Sequence, residues 1–174
     1  LAFAFVAGGT SRMILQHMTT EKADILYREA ALLSTDYAEE YYRSKSASSL
    51  ETIHSHLNAI STYLNADIWM IDIDGRVILE SGEKLITTEE SFRIMENFDP
   101  TSFGTSYYMT GNFFEEFEED TLSVISPINY NLRVRGYLVI HTSMSGIYAE
   151  KESMVSCFVI ILLVIWLFGD SVIW

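Results

Sequence analysis

The sequence is poor in cysteine and in basic residues. Cys157 is the single cysteine among 174 residues, so the chain cannot form an internal disulfide or a metal site built from several cysteines. The 11 lysines and arginines stand against 24 aspartates and glutamates, which gives a net charge of −13. Nucleic acids and anionic lipids both recruit basic side chains. This balance therefore argues against a nucleic-acid partner and disfavours adhesion to an anionic membrane surface.

Catalytic signatures are also missing from the sequence. The chain has no HExxH zinc motif, no phosphate-binding P-loop, no GxGxxG fingerprint and no Ser-His-Asp signature. Asp72 and Asp74 could share one face of a strand as paired carboxylates, but their position beside a predicted turn gives them turn-forming roles. We therefore expect no catalysis by this chain and no cofactor in it.

Long apolar runs stand at both ends of the sequence. Residues 154–174 predict a second transmembrane helix, because about 20 mostly apolar residues cross a bilayer; a buried core helix is the alternative. Asp170 would mark its end or the far interface. Residues 1–12 predict the outer end of a first transmembrane helix, with a signal-peptide remnant as the alternative. Residues 13–153 would then form one domain, and their acidity favours an extracytoplasmic location.

Helical periodicity marks the start of this domain. Residues 13–43 contain no proline or glycine and predict one long helix with two apolar stripes. The second stripe, at Met18, Ile25 and Leu32, suits a partner helix and hence a homodimer through residues 13–43; one broad buried stripe is the alternative. The first stripe consists of Leu26, Ala30, Leu33, Tyr37 and Tyr41.

A second helix is predicted after a polar break at residues 44–49. Ser48 and Glu51 have the spacing of a capping box, in which each side chain satisfies a free backbone N–H of the first turn. His54 and His56 point away from each other on this helix, so they are better explained as solvated residues than as a metal pair. The helix has one apolar stripe, formed by Leu50, Ile53, Leu57, Ile60 and Leu64.

The stretch "ADIWMIDIDGRVILESG", residues 66–82, predicts a β-hairpin with a two-residue turn at Asp74-Gly75. Trp69, Ile71 and Ile73 would project to one face of its first strand. Residues 87–98 predict a short helix, with Thr88 as N-cap and with Glu89 and Glu90 in the first turn. Later strands are predicted at residues 107–111, 122–128 and 137–143, before a final helix that leads into the apolar segment.

This order of elements resembles a known family of bacterial sensor domains. "IDIDGRVILESG" after a helical start, and "LSVISPI" followed by "RGYLVIHTSMSGI" before a membrane helix, resemble the extracytoplasmic PAS-like domains called PDC or Cache domains. The resemblance covers about residues 10–168. It implies an α+β fold, a PAS-like (PDC/single Cache) antiparallel sheet flanked by helices, with a long N-terminal helix and transmembrane helix ends.

The resemblance also implies a function. Such domains occur in membrane-bound sensor histidine kinases of two-component systems, in the bacterial cell membrane, and their usual unit is a dimer. A ligand that prefers one arrangement of the flanking helices would shift them and signal across the bilayer to a cytoplasmic kinase outside this chain. A methyl-accepting chemoreceptor, a membrane-bound diguanylate cyclase and a structural membrane domain without a ligand are the alternatives.

Family pockets lie over the sheet, which implies a set of candidate ligand residues in this chain. Aromatic side chains would wall such a pocket, and Arg133 or Arg135 would meet a ligand carboxylate. The alternative is that the aromatics are core residues and the arginines solvated turn residues. The candidates are Trp69, Tyr107, Tyr108, Tyr130, Arg133 and His141.

A second candidate site is the acidic run "FFEEFEED". Oxygen ligands suit Mg²⁺ or Ca²⁺, and an acidic surface could also meet a cationic peptide, although this run lacks the spacing and glycine of a calcium loop. A solvated acidic turn is the alternative. The acids are Glu115, Glu116, Glu118, Glu119 and Asp120.

Overall fold

The computed structural model describes residues 2–88 and 91–169. Its elements, in order, are α1 (Ala2–Leu33), a π-helical turn (Ser34–Ala38), α2 (Glu39–Ser44), α3 (Ala47–Leu64), β1 (Asp67–Asp72), β2 (Arg76–Glu80), β3 (Arg93–Ile94), a 3₁₀ turn (Pro100–Phe103), β4 (Tyr108–Gly111), β5 (Thr121–Tyr130), β6 (Arg133–Ser143) and α4 (Ser145–Gly169).

The chain divides into two compact units. One unit combines Leu1–Glu21 with Met144–Trp174, and its described part is helical. Ser145–Phe168 within it has a mean hydropathy of 2.1, and its most apolar 18-residue window has no buried residue, so α4 is long and apolar enough to cross a membrane by length and composition. Residues 2–12 are helical, and their membrane role stays a prediction. Glu89 and Glu90 of the predicted short helix, and residues 170–174 of the predicted C-terminal span with Asp170, lie outside the described residues.

The other unit, Lys22–Ser143, holds the sheet and the helices that cover it. Its first helical run confirms the helix predicted at residues 13–43 but contains an interruption, the π-helical turn. A π turn inserts one extra residue and rotates the face that follows it. The buried face therefore passes from Leu33 and Ser34 to Ala38, while Tyr37 is only half-buried and packs its ring 4.8 Å from that of His56.

Helix α3 starts earlier than the predicted capping box requires. Lys45 takes a left-handed conformation (φ 46°) that ends α2, and Ser46 then becomes the N-cap, its Oγ accepting the backbone N–H of Ser49 at 3.2 Å. The prediction of a capping box at Ser48 and Glu51 was wrong, because both residues already lie inside the helix, as its second and fifth residues.

The sheet has six antiparallel strands in the order β3-β2-β1-β6-β5-β4. The predicted α+β PAS-like architecture is therefore confirmed, with a long N-terminal helix and with helices packed on one side of the sheet. The three later strands lie where they were predicted, and β5 and β6 are joined by a tight turn at Asn131 and Leu132, both with positive φ.

The β1–β2 hairpin is confirmed, but its turn differs from the prediction. The connection has three residues, and only Gly75 among them has a positive φ, of 81°. The N–H of Gly75 donates to the carbonyl of Asp72 at 3.2 Å, and the carboxylate of Asp72 accepts the N–H groups of Asp74 and Arg76. Asp72 thus shapes the turn, as expected from its position.

The prediction of a short helix at residues 87–98 was wrong. Arg93 and Ile94 instead form β3, paired with Arg76 and Val77. The edge of β2 offers unpaired backbone groups, and satisfying them outweighs the helical pattern of this segment. The N–H of Met95 continues the attachment by donating to the carbonyl of Gly75 at 2.9 Å.

The two faces of the sheet differ in composition because side chains alternate along each strand. We call one the helix face; it packs against the π turn, α2 and α3, and Ser126 on it hydrogen-bonds Ser34 at 3.2 Å. Its main residues are Ile68, Met70, Leu122, Leu138 and Ile140. We call the other the aromatic face; it is covered by parts of residues 92–120 and carries Trp69, Ile71, Ser123, Ile125, Val139 and His141.

Candidate functional site

The centre of the aromatic face is a buried histidine. His141 on β6 lies opposite Ser123 on β5, and it is 1% exposed. Its Nδ1 and the Oγ of Ser123 are 2.8 Å apart and share one hydrogen bond. A shift in strand register between Ile128 and Asn129 brings these two residues into direct opposition.

Three aromatic rings surround the imidazole of His141. Its ring centroid lies 4.6 Å from Trp69, 4.4 Å from Phe113 and 4.9 Å from Phe117. We call these three rings the aromatic box. Within it, Nε2 of His141 is buried and has no hydrogen-bond partner among the described residues. An unpaired buried polar atom costs about 1–3 kcal/mol, so this nitrogen stands out in an otherwise apolar cluster.

The box also fixes the charge of the histidine. Burial disfavours the imidazolium and lowers the pKa of His141 to about 3. The ring is therefore neutral at physiological pH, with one nitrogen donating and the other accepting. Whichever role Nδ1 takes with Ser123, Nε2 keeps the complementary role and can bond one polar atom of a small molecule.

The box is closed from above by the segment between β4 and β5, which we call the covering loop (residues 112–120). Phe113, Phe114 and Glu115 have successive positive φ angles of 43°, 56° and 69°. Residues with a Cβ adopt this region at a steric cost and hold it only where other contacts compensate. The rings of Phe113 and Phe117 on His141 supply such contacts.

Arg93 lies at the rim of the box. Its guanidinium is 5.0 Å from the centre of the Trp69 ring, a cation–π contact. It also pairs with Glu116 of the covering loop and, at 3.4 Å, with Glu80 of β2. Burial raises the pKa of Glu80, while the neighbouring Arg93 opposes that rise. Arg93 and Glu80 further line an open pocket of about 610 Å³ along β2, so the rim is reachable from outside.

Tyr107, just before β4, faces the helices rather than the box. Its hydroxyl donates to the carboxylate of Asp24 on α1, a contact that raises the pKa of Tyr107 to about 12. Its ring also lies 4.6 Å from that of Tyr27 on α1 and 5.5 Å from that of Tyr108. These contacts attach the start of β4 to α1. Tyr108 itself pairs with Val124 in the sheet.

Tyr130 lies in a different place, at the hairpin ends of the sheet. It lines a pocket of about 350 Å³ with Tyr42, Asp72, Arg76 and Arg135. The hydroxyl of Tyr42 is buried there, and burial raises its pKa. Arg133 is exposed at the start of β6, opposite Tyr130.

The acidic run forms part of the covering loop. Within residues 2–88 and 91–169, no three Asp, Glu, His or Cys side chains come together as a metal-binding group. Glu116 is committed to Arg93, and the backbone carbonyl of Glu119 accepts the hydroxyl of Thr121. A cation site at Glu115, Glu116, Glu118, Glu119 and Asp120 stays a prediction.

The structure thus brings only part of the predicted ligand set together. Trp69 and His141 share the aromatic box, whereas Tyr107, Tyr130 and Arg133 lie elsewhere. The residues that sequence reasoning missed are Ser123, Phe113, Phe117 and Arg93. Phe113 and Phe117 lie in the run "FFEEFEED", of which only the acids were predicted as site residues, and Arg93 lies in the segment predicted as a short helix.

Comparisons with known proteins agree with this architecture. We found no match to the sequence among protein-family models or among curated proteins. Among solved structures, the chain is similar to the sensor domain of the V. cholerae histidine kinase DctB, with a TM-score of 0.55 and 18% identity over 84% of this chain and 59% of that one. It is also similar to a domain of a sensory box/GGDEF family protein from Vibrio parahaemolyticus, with a TM-score of 0.56 and 15% identity over 79% and 62%.

A third similar structure contains a ligand. It is the ligand-binding domain of the Campylobacter jejuni chemoreceptor Tlp3 in complex with L-valine, with a TM-score of 0.53 and 10% identity over 83% of this chain and 62% of that one. The chain therefore spans about 60% of the length of the solved chains that it matches. Together they show that the chain has the same fold as these domains, the PAS-like fold expected from the sequence.

Proposed function

We propose that this chain is the extracytoplasmic sensing part of a membrane-bound sensor histidine kinase of a two-component system, and that it detects a small molecule on the aromatic face. The observation that carries this proposal is the unpaired Nε2 of His141 inside the aromatic box. A neutral hydrogen-bonding atom walled by aromatic rings suits the polar group of a small, partly apolar ligand. The match to a kinase sensor domain supports the kinase as parent.

The signal would leave the site through β4 and α1. The covering loop follows β4 directly, and Tyr107 ties the start of β4 to Asp24 and Tyr27 of α1. A ligand that moves the covering loop would bias the position of these contacts and hence of the helix. The apolar segment Ser145–Phe168 supports a second connection to the membrane, directly after β6.

A homodimer through residues 13–43 is part of the same proposal. Ile25 and Leu32 lie on α1 and are 46% and 54% exposed, so part of the second stripe is available to a partner helix. The test is a disulfide between two copies of Leu32→Cys in a Cys157→Ser background. A cross-linked dimer that forms at Leu32 and not at the matched exposed position Thr35 supports the interface; equal cross-linking at both positions contradicts it.

Two alternatives have observations of their own. The fold is also similar to that of a chemoreceptor domain and of a GGDEF protein domain, which favours a chemoreceptor or a diguanylate cyclase as the parent protein. A fusion of residues 1–174 to the cytoplasmic region of a histidine kinase would distinguish these parents from a kinase: ligand-dependent autophosphorylation supports the kinase. The aromatic face is filled by its own side chains, which favours a structural domain without a ligand. The unpaired Nε2 favours sensing, because structural cores leave few buried polar atoms unpaired.

A thermal-shift panel tests the sensing role. Amino acids, small organic acids, Ca²⁺ and Mg²⁺ are added to the full chain in detergent, with sodium chloride at matched ionic strength as the control. A true ligand at about 100 times its Kd raises Tm by roughly 5–10 °C. If nothing in the panel exceeds the ionic-strength control, the sensing proposal fails for these chemical classes. A shift with the divalent ions alone would instead support the acidic run.

A further inference from the structure

The covering loop presents two different chemical groups to the aromatic face. The ring of Phe113 is 2% exposed and packs against His141, with 4.4 Å between the two centroids. Three residues later, the carboxylate of Glu116 pairs with Arg93, whose guanidinium lies over Trp69. The loop therefore places an apolar ring on His141 and a carboxylate on Arg93. Both contacts are noncovalent, so another molecule with the same two groups could replace them.

The conformation that achieves this placement is unfavourable in itself. Phe113, Phe114 and Glu115 are three consecutive residues with a Cβ in the left-handed region. Each pays a steric cost there, and none of them is a glycine or an asparagine, the residues that tolerate this region best. The contacts of Phe113, Phe117 and Glu116 hold the loop closed, and the loop would relax if another molecule took over those of Phe113 and Glu116.

The closed arrangement also leaves the box chemically incomplete. Nε2 of His141 is buried beneath aromatic rings and has no hydrogen-bond partner among the described residues. An N–H directed at an aromatic ring gains less than one directed at an oxygen. A molecule that combined a ring-sized apolar body with a polar group could satisfy this nitrogen, which Phe113 cannot do.

We propose that Phe113 is a built-in plug in the ligand site, and that a small carboxylic acid with an apolar body displaces it, placing its carboxylate on Arg93 in exchange for Glu116. This inference rests on the proposed sensing function and deepens it by naming the ligand class and the closed state. The apolar body of the ligand replaces the ring of Phe113, and its carboxylate replaces that of Glu116. One oxygen of this carboxylate pairs with Arg93 and the other accepts the N–H of Nε2 of His141, the bond that the loop lacks. Release of the covering loop then frees β4, which directly precedes it.

The test measures the affinity of a probe that carries both groups, 3-phenylpropanoate, for the full chain in detergent by isothermal titration calorimetry. Phe113→Ala removes the plug, so we expect binding about tenfold tighter than for the wild type, because less of the protein is locked in the closed state. Glu116→Gln frees Arg93 and should tighten binding about threefold by the same logic. Phe114→Ala, the neighbouring control, should stay within about twofold, because Phe114 packs on Phe98 and Phe113 rather than on His141.

The uncharged analogue 3-phenylpropanamide separates the role of the carboxylate. It should bind every variant at least about tenfold more weakly, since it offers Arg93 no charge-assisted pair. Equal affinities of wild type and Phe113→Ala for 3-phenylpropanoate would overturn the plug. If Phe113→Ala does not fold, an unchanged affinity of Glu116→Gln for the same probe would overturn it. A ligand from the thermal-shift panel that binds wild type and Phe113→Ala equally leaves sensing intact and overturns the plug. Absence of binding by every variant and every panel compound overturns both.

Discussion

The two faces of the sheet are both buried, but by different kinds of side chain and under different covering elements. On the helix face, aliphatic residues such as Leu138 and Ile140 pack under helices, and the buried hydroxyls of Ser34 and Ser126 bond each other. On the aromatic face, rings surround a histidine with one unpaired nitrogen, under a loop with left-handed residues. The buried hydroxyl of Tyr42 on α2 also has no hydrogen-bond partner among the described residues, but it lies at the hairpin ends of the sheet, whereas the centre of the helix face is aliphatic. The aromatic face is closed by a loop whose left-handed residues carry a steric cost, which favours the proposed opening of the site.

The difference also lies in what covers each face. The helices over the helix face are held by their own backbone hydrogen bonds and by caps such as Ser46. The covering loop has backbone hydrogen bonds between residues close in sequence, from Glu116 to Phe113 and from Phe117 to Asn112, together with its side-chain contacts. Loops of this kind open at a lower free energy than packed helices, so one face can respond to a ligand while the other keeps the fold.

The largest expected effect separates the two faces by stability. Ile140→Ala on the helix face should lower the free energy of unfolding by about 2–5 kcal/mol, because it leaves a cavity in a fully packed layer. Phe113→Ala should cost only about 1–2 kcal/mol despite the larger side chain removed, because water then reaches Nε2 of His141 and the loop relaxes. Urea unfolding of both variants measures this. A larger loss for Phe113→Ala would remove the distinction between the faces.

The next effect is a pH dependence of the free energy of unfolding that arises from His141 on the aromatic face. Burial holds the pKa of His141 at about 3 in the folded chain, against an ordinary value of 6.5. Between these values the unfolded chain binds more protons, so stability falls as pH decreases through 6.5 towards 3. The loss between pH 7 and pH 5 should be about 2 kcal/mol.

Two substitutions isolate this histidine from the other titrating groups. His141→Gln should flatten the stability profile between pH 7 and pH 5, and the exposed control His56→Gln should leave it unchanged. Urea unfolding at several pH values provides the measurement. The same slope in His141→Gln and wild type would show that the box does not hold a neutral histidine.

A smaller effect on stability concerns the contact between the β1–β2 turn and the backbone at Met95. Gly75 and Gly82 share a φ of 81°, but a Cβ on Gly75 would lie 2.8 Å from the carbonyl oxygen of Met95, whereas one on Gly82 meets nothing within 4 Å. Both alanine variants pay the backbone cost, roughly 1 kcal/mol. Gly75→Ala should lose about 1 kcal/mol more, because it pushes Met95 away. Equal losses in thermal unfolding would mean that this contact yields freely.

The smallest effect is that of the rim ion pair on stability. Arg93 is 41% exposed, and exposed pairs contribute about 0.2–1 kcal/mol. Glu116→Gln should therefore change the unfolding free energy by about 0.5 kcal/mol or less, while it tightens binding of the probe. A loss of several kcal/mol would make the pair a structural support of the aromatic face rather than a releasable contact.

Much of this fold could be predicted from the sequence, because periodicity reports local structure. The stripe from Leu26 to Leu33 and the alternation around Trp69 gave the helix and the hairpin correctly. The segment around Arg93 misled because its helical pattern is local, whereas its strand pairing depends on the distant edge of β2. Local pattern cannot report such an edge.

The candidate site was harder to predict for a geometric reason. Counting back from the turn at Asn131 and Leu132 pairs Ser123 with Ile140, but the register shift near Ile128 pairs it with His141 instead. Because a one-residue slip exchanges the two faces, this bulge decides which side chains meet. The position of Phe113 was equally hidden, because it depends on a left-handed loop built without glycine.

The most direct test of the ligand site is ¹⁵N NMR of the His141 side chain in the full wild-type chain, titrated with 3-phenylpropanoate. Nε2 now has no hydrogen-bond partner among the described residues, and its shift should change on saturation to that of a hydrogen-bonded neutral imidazole. The Nδ1 signal, held by Ser123, should change less. A probe that saturates the protein while both nitrogen shifts stay unchanged would place its site elsewhere and contradict the account.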